Sequence, residues 1–299
     1  MSYTVIYLPD PGKRVFFNQA CRSMRDMIEL GIDECMTAIR EGKMFHAAVN
    51  DGAFFVKIEE YTNFVCTAIH NGHRLRAGLV ENCALSEAER LREEDPYTAD
   101  IAVNMPITVV ANDSRYEYDL NRPPETCVYE EAWGQVVWSE PLSDAEKATS
   151  LEKHTAFYTV LDVLYEQLES LHPQVQVFDV HSYNYRRPGM GDVPLFNIGT
   201  EQLDTQRWQA DIDQWVERLG RISLPGIEVR AAINEVFYGR GYQTTFAGKR
   251  CKNTLVLPTE LKKVFMDELS GEPRSDVLEV LHAEFEQAIS DHVLSRSEQ

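Results

Sequence analysis

Phe64-Val65-Cys66-Thr67-Ala68-Ile69-His70-Asn71-Gly72-His73 is the stretch from which the fold can be read. Phe64 to Ile69 are apolar or β-branched without a break, and a polar turn follows at once. A short apolar run ended by a turn signal fits a strand buried on both faces. Strands of that kind belong to sheets covered by helices on either side. The same form recurs downstream. Gln174 to Val180 is a second such run and leads into His181. Thr254 to Leu257 is a third, and Glu260 comes just after it.

Helical patterns separate these runs. Ser143-Asp144-Ala145-Glu146 has the form of a capping box, serine first and glutamate three residues on. It opens a helix to about Leu171, with Leu151, Tyr158, Leu161, Tyr165 and Leu168 on one stripe. Trp208, Ile212, Trp215 and Leu219 mark another amphipathic helix, and Val277, Leu281, Phe285 and Ile289 a C-terminal one. Residues 17–42 carry Met24, Met27, Ile28, Cys35 and Ile39 at near-helical spacing. Ser86 to Glu94 is polar and helical in character. Residues 47–58 read as a hairpin turning at Asn50-Asp51-Gly52, and Ile107 to Val110 as a further strand. Strands alternating with helices predict an α/β fold with a mixed, mostly parallel sheet. In such sheets ligands bind beyond the carboxyl ends of the strands. His70, His181 and Glu260 all fall there.

The remaining composition excludes several classes of function. The chain has 299 residues, 43% of them hydrophobic and 26% charged, with no linker-like interior, which predicts one large domain over 1–299. Residues 1–60 match no pattern of the rest and read as an N-terminal extension packed on that domain. The net charge of −19 argues against nucleic acid or an anionic membrane as partner. No run of about 18 or more apolar residues occurs, so no membrane span is expected. Met1 to Pro9 lacks a secretory pattern, and the expected location is cytoplasmic. The six cysteines form no CxxC pair and read as thiols. A homo-oligomer is compatible with all of this.

His70 and His73, three residues apart, could present two imidazoles to one metal ion, with Gly72 permitting the turn between them. By itself such a pair is equally a polar loop. Asp179 alternates with His181 along one strand face and could orient its ring. Arg115 in Ser114-Arg115-Tyr116 and Arg122 in Asp119-Leu120-Asn121-Arg122 are guanidinium groups able to hold a carboxylate or a developing oxyanion. Glu260 is placed either to move protons beside a metal or merely to open a surface helix. Gly239-Arg240-Gly241-Tyr242 lacks the pattern of a phosphate loop and reads as a substrate-side loop.

Taken in order, these motifs resemble the N-formylglutamate amidohydrolase family. The run from Ser114 to Pro123, then Asp179-Val180-His181-Ser182 and Asn197-Ile198-Gly199-Thr200, carry the resemblance. The order His70-x-x-His73, Asn121-Arg122, His181-Ser182 and Glu260-Leu261 is similar to the wider zinc carboxypeptidase-like superfamily. The resemblance implies a zinc exopeptidase-like sheet of about eight strands between helices. It implies a Zn²⁺ cofactor with His70, His73 and His181 as ligands, and Glu260 as general base and acid. Arg115 would steady an oxyanion, and Asn121 and Arg122 would bind the substrate carboxylate; Tyr242, in the substrate-side loop, is a further candidate to bind substrate. The superfamily usually has glutamate where this chain has His73. Asp95, in the run Glu93-Glu94-Asp95, is therefore the rival for the second ligand. The implied reaction is hydrolysis of N-formyl-L-glutamate or a similar small N-acyl amino acid. A carboxypeptidase or amidase acting on larger substrates, and a binding module without catalysis, are the alternatives.

Overall fold

The computed structural model describes residues 27–297. Its elements run β1 (Ile28–Leu30), α1 (Ile32–Arg40), β2 (Phe45–Val49), β3 (Phe54–Ile58), β4 (Phe64–Ala68), α2 (Ala77–Val80), α3 (Glu87–Glu93), α4 (Thr98–Ile101) and β5 (Ile107–Ala111). They continue with β6 (Glu131–Ala132), β7 (Gln135–Val136), α5 (Asp144–Leu171), β8 (Val175–Tyr183), β9 (Phe196–Ile198), α6 (Thr205–Gly220), β10 (Ala231–Ile233), α7 (Tyr242–Arg250), β11 (Thr254–Lys262) and α8 (Ser275–Ser297). Nine strands form one sheet in the order β1-β2-β3-β5-β4-β8-β11-β9-β10. Its centre, β5-β4-β8-β11, is parallel throughout. β3 runs antiparallel to both β2 and β5, and β9 antiparallel to β11. The fold is therefore the mixed, mostly parallel α/β sheet expected.

β8 explains why both faces are covered. Val175 and Val177 pack into one apolar core with Cys35 and Ile39 of α1 and Phe157, Leu161 and Leu164 of α5. Phe178 and Val180, alternating with them, enter a second core with Trp215 of α6 and Phe285 of α8. A strand with apolar side chains on both sides can be satisfied only in this way. α5 starts where its sequence says it should. Ser143 Oγ accepts from the Glu146 amide and Glu146 Oε2 from the Ser143 amide, at 3.3 and 2.8 Å.

Three expectations need revision. Residues 1–60 read as an extension packed on the domain, yet in the described part of them β1, β2 and β3 are strands of the sheet itself. They pair because the Asn50-Asp51-Gly52 turn, with φ of 55°, 54° and 69°, folds β3 back on β2. Of the helix expected over 17–42, only α1 is helical among the described residues, with β1 ahead of it; residues before 27 lie outside the described part. β11 does not stop before Glu260 but runs through it to Lys262. Pro258 made the strand look shorter than it is. It lies just before the pairing with β9 begins at Thr259.

No helix of the described residues is long and apolar enough to cross a membrane.

Candidate active site

The carboxyl ends of β4, β8 and β11 lie side by side, and the chain puts its buried polar groups there. Thr67 is register partner to Asp179, and His181 to Glu260. Asp179 and His181 alternate along β8, so Thr67, Asp179, His181 and Glu260 share one face of the sheet. His70 follows β4 directly. The loop after α3 brings Asp95 to the same corner, where the Asp95 amide donates to the His70 carbonyl at 2.9 Å.

Three ligand atoms converge. His70 Nδ1 and His181 Nδ1 are 3.2 Å apart. Asp95 Oδ2 is 3.3 Å from each of them. All three residues are buried. A tetrahedral ion with bonds of about 2.0–2.1 Å separates its ligands by roughly 3.3–3.4 Å, so this triangle is the right size for one. The far side of each ring is also fixed. His70 Nε2 donates to Asp119 Oδ1 at 2.7 Å and His181 Nε2 to Asp179 Oδ2 at 2.9 Å. Each Nδ1 is thereby the ring nitrogen that faces the triangle, able to coordinate a metal that displaces its proton. Thr67 Oγ1 donates to Asp179 Oδ1 at 2.7 Å, and Gln243 Nε2 to Thr67 Oγ1 at 2.9 Å, which extends the support into α7.

The electrostatics favour a cation at this corner. Burial alone would raise the Asp95 carboxyl, but hydrogen bonds from His181 and His70 and the charge of Lys263 outweigh it and hold it far below the usual range. Burial opposes charge on His181, yet Asp179, Asp95 and Glu260 overcome that and raise its pKa well above an ordinary histidine. Burial likewise pushes Glu260 up to about 7, with Asp95 and Asp179 adding to the shift and His181 and His70 opposing it. Lys263, itself buried, donates to the carbonyls of Arg92 and Glu94, both at 2.7 Å, and so pins the loop that delivers Asp95.

His73 does not join the triangle. Its Nδ1 faces Glu94 Oε2, and Arg90 donates to its carbonyl at 3.0 Å. Gly72 explains why. It supports no convergence of the two rings; it is there because a Cβ would lie 2.3 Å from the Asp113 carbonyl oxygen and 2.5 Å from the Asn112 carbonyl carbon. The turn presses against that backbone, and His73 leaves on its far side. Gly72→Ala is accordingly expected to displace His70 and to lower Tm by several degrees, which thermal unfolding checks.

The other expected residues surround this corner. Arg115 Nη2 donates to Asp119 Oδ2 at 2.8 Å and Nη1 to the Glu93 carbonyl at 2.9 Å. Its neighbour Asp119 is held well below the usual carboxylate range: burial acts against this, but Arg115, His70 and Tyr129 prevail. The Asn121 amide donates to Asp119 Oδ1 at 2.7 Å, while its side chain lies against Gly241, where a Cβ would come within 2.2 Å of Oδ1. Arg122 is exposed, with its carbonyl accepting from His154 Nε2 at 2.9 Å. Tyr242 opens α7, and its ring meets Tyr158 at 4.7 Å and His154 at 5.6 Å.

The chain is similar to known proteins over the part that carries this corner. A family model described as N-formylglutamate amidohydrolase matches residues 62–266, more than half of the chain. The fold is similar to the crystal structure of an N-formylglutamate amidohydrolase from Ralstonia eutropha JMP134. That match has a TM-score of 0.64 and 15% identity, covering 83% of this chain and 99% of the other. It is also similar to a gene product of Agrobacterium tumefaciens, with a TM-score of 0.58, 16% identity, and 80% and 95% covered. No curated protein matches the chain.

Proposed function

The chain belongs to the N-formylglutamate amidohydrolase family, and on that premise we propose that it is a zinc-dependent amidohydrolase, built as a single hydrolytic domain. Its substrate is N-formyl-L-glutamate or a closely similar small N-acyl amino acid, cleaved to the carboxylate and the free amino acid. The observation that carries this reading is the triangle of His70 Nδ1, His181 Nδ1 and Asp95 Oδ2, with edges of 3.2–3.3 Å. We assign these as the ligands and leave His73 outside the set. A zinc ion there supplies Lewis acidity, polarising the scissile carbonyl and making water a better acid near neutral pH.

The chain's own groups do the rest. Glu260, half-buried beside His181 and with its carboxyl pushed up to about 7, is poised to take a proton from water at neutral pH. The water oxygen adds to the amide carbon, the C–N bond breaks, and Glu260 returns the proton to the leaving nitrogen. Arg115, braced by Asp119 and the Glu93 carbonyl, is the cation that steadies the oxygen as charge develops on it. Arg122 makes no ion pair among the described residues and is the group that takes the substrate carboxylate. In a chain of net charge −19 such a free surface arginine is the local exception an anionic substrate needs. Asn121 and Tyr242, joined by a 3.2 Å backbone hydrogen bond, form the wall beside it.

The test is the zinc-loaded chain against N-formyl-L-glutamate, N-acetyl-L-glutamate and C-terminal glutamyl dipeptides. The highest kcat/KM is expected for the formyl compound. Preference for a dipeptide would move the assignment to a carboxypeptidase, and no turnover of any would remove the proposal. Arg122→Ala should raise KM for N-formyl-L-glutamate by roughly 10- to 100-fold, the worth of a charge-assisted hydrogen bond to a carboxylate, with kcat little changed. An unchanged KM would take Arg122 out of the substrate site.

A further inference from the structure

Trp133 sits at the tip of a small hairpin in a backbone conformation that suits it poorly. β6 and β7 pair with Ala132 opposite Gln135, which leaves Trp133-Gly134 as a two-residue turn. Both have positive φ, 51° and 77°. That is a turn in which asparagine-glycine is the favoured pair and a bulky aromatic first residue is rare. The indole is also 42% exposed, so burial does not account for its presence.

What the indole does instead is cover Arg115. The guanidinium carbon lies 4.7 Å from the ring centroid, and Tyr116 and Tyr129 meet the same ring edge-on at 5.8 and 5.7 Å. Tyr129 donates its hydroxyl to Asp119, which accepts from Arg115 and His70 as well. Arg115 Nε is buried with no hydrogen-bond partner among the described residues. Two of its three nitrogens are therefore engaged, Nε is not, and the indole covers the guanidinium. Strained backbone held at a site by its surroundings is a recurrent mark of a functional constraint.

We infer that Trp133 is a positioning residue for the hydrolytic reaction: the hairpin is held in an unfavourable turn so that the indole stacks on Arg115 and fixes its guanidinium. The inference rests on the amide-hydrolase reading above, in which Arg115 steadies the developing oxyanion. It makes Trp133 costly to the fold and useful to the reaction. Replacement by asparagine relaxes the turn and releases Arg115 at once.

The experiment compares the zinc-loaded full chain as wild type, Trp133→Asn, Trp133→Phe, Arg115→Lys and the Trp133→Asn/Arg115→Lys double variant. Steady-state hydrolysis of N-formyl-L-glutamate and thermal unfolding are measured for each. Trp133→Asn is expected to match or exceed the wild-type Tm, to lose roughly tenfold in kcat, about the worth of a half-exposed cation–π contact, and to keep KM within about twofold. Trp133→Phe should retain most of kcat. With Arg115→Lys present, Trp133→Asn should cost little more. A wild-type kcat in Trp133→Asn, or losses that multiply in the double variant, would overturn the inference. If the wild type hydrolyses no N-acyl amino acid, the amide-hydrolase reading fails, and the Tm values decide about Trp133 alone. Non-additive shifts in the double variant support the stack on Arg115, and strictly additive shifts refute it.

Discussion

Glu260→Gln is expected to bind zinc as the wild type does and to lose roughly a thousandfold in kcat. The amide side chain keeps the size and shape of the carboxylate but cannot accept a proton from water or return one to the leaving nitrogen. General acid–base groups contribute about 10²–10⁴-fold. KM should barely move, because no part of the proposed substrate carboxylate is held by Glu260. The pH profile adds a second readout. A proton acceptor must be ionised, so activity falls as pH drops through the pKa of Glu260. Burial sets that value at about 7. A divalent cation beside it lowers the value, so the acidic limb of kcat/KM in the zinc-loaded enzyme should lie at or below pH 7.

The same residue makes an opposite prediction for stability. Its carboxyl is raised in the fold from 4.5 to about 7. A raised pKa means that the folded state holds its proton longer than the unfolded chain does. The stabilising effect is thus complete below pH 4.5, declines as pH rises, and is gone above 7. Above pH 7 the metal-free wild type carries a cost of up to about 3 kcal/mol that glutamine does not. Metal-free Glu260→Gln should melt higher than wild type at pH 8 and equally at pH 4. A variant with normal turnover would remove Glu260 from the chemistry, and one that melts no higher at pH 8 would deny the strain of its burial.

How far these residues were legible in the sequence depended on the length of the element carrying them. His70 follows the apolar strand β4 and His181 lies near the carboxyl end of β8, where a buried strand brings its polar residues to the sheet edge with little freedom. β8 and α5, with nine and 28 residues, carry enough of their periods to be read directly. β1, β9 and β10 have three residues each and show no period at all, so the two edge strands and the neighbour of one of them are not legible in the sequence. Asp95 is harder for another reason. It ends no apolar run and reaches the corner through contacts of high sequence separation: its amide meets the His70 carbonyl, and Lys263 holds the carbonyls before it. A run of Glu93-Glu94-Asp95 ahead of Pro96 says that a helix is ending, not which carboxylate turns inward. Asp119 lay in a motif noted for its arginine, while its bond to His70 Nε2 appears only in three dimensions.

His181→Ala should abolish zinc binding at micromolar metal and, with it, hydrolysis. The mutation removes one corner of the triangle and leaves Asp95 and Asp179 buried without the ring that lies between them. Two ligands cannot fix a metal that needs three from the protein and one open position. The neighbours grade the effect. Asp179→Asn and Asp119→Asn keep all three ligand atoms but loosen a ring, and should weaken zinc by about 10–100-fold, as is usual for partners that orient a metal-bound histidine. Asp95→Ala should resemble His181→Ala. His73→Ala should retain zinc fully, because its ring is engaged with Glu94 and not with the triangle. Elemental analysis of the purified variants after dialysis against zinc decides the order. The telling comparison is Asp95 against His73. Zinc lost with His73 and kept without Asp95 would restore the three-histidine set that the spacing His70-x-x-His73 first pointed to. It would also require the loop after Gly72 to swing His73 away from Glu94, and the packing of Gly72 against the Asn112–Asp113 backbone opposes that movement.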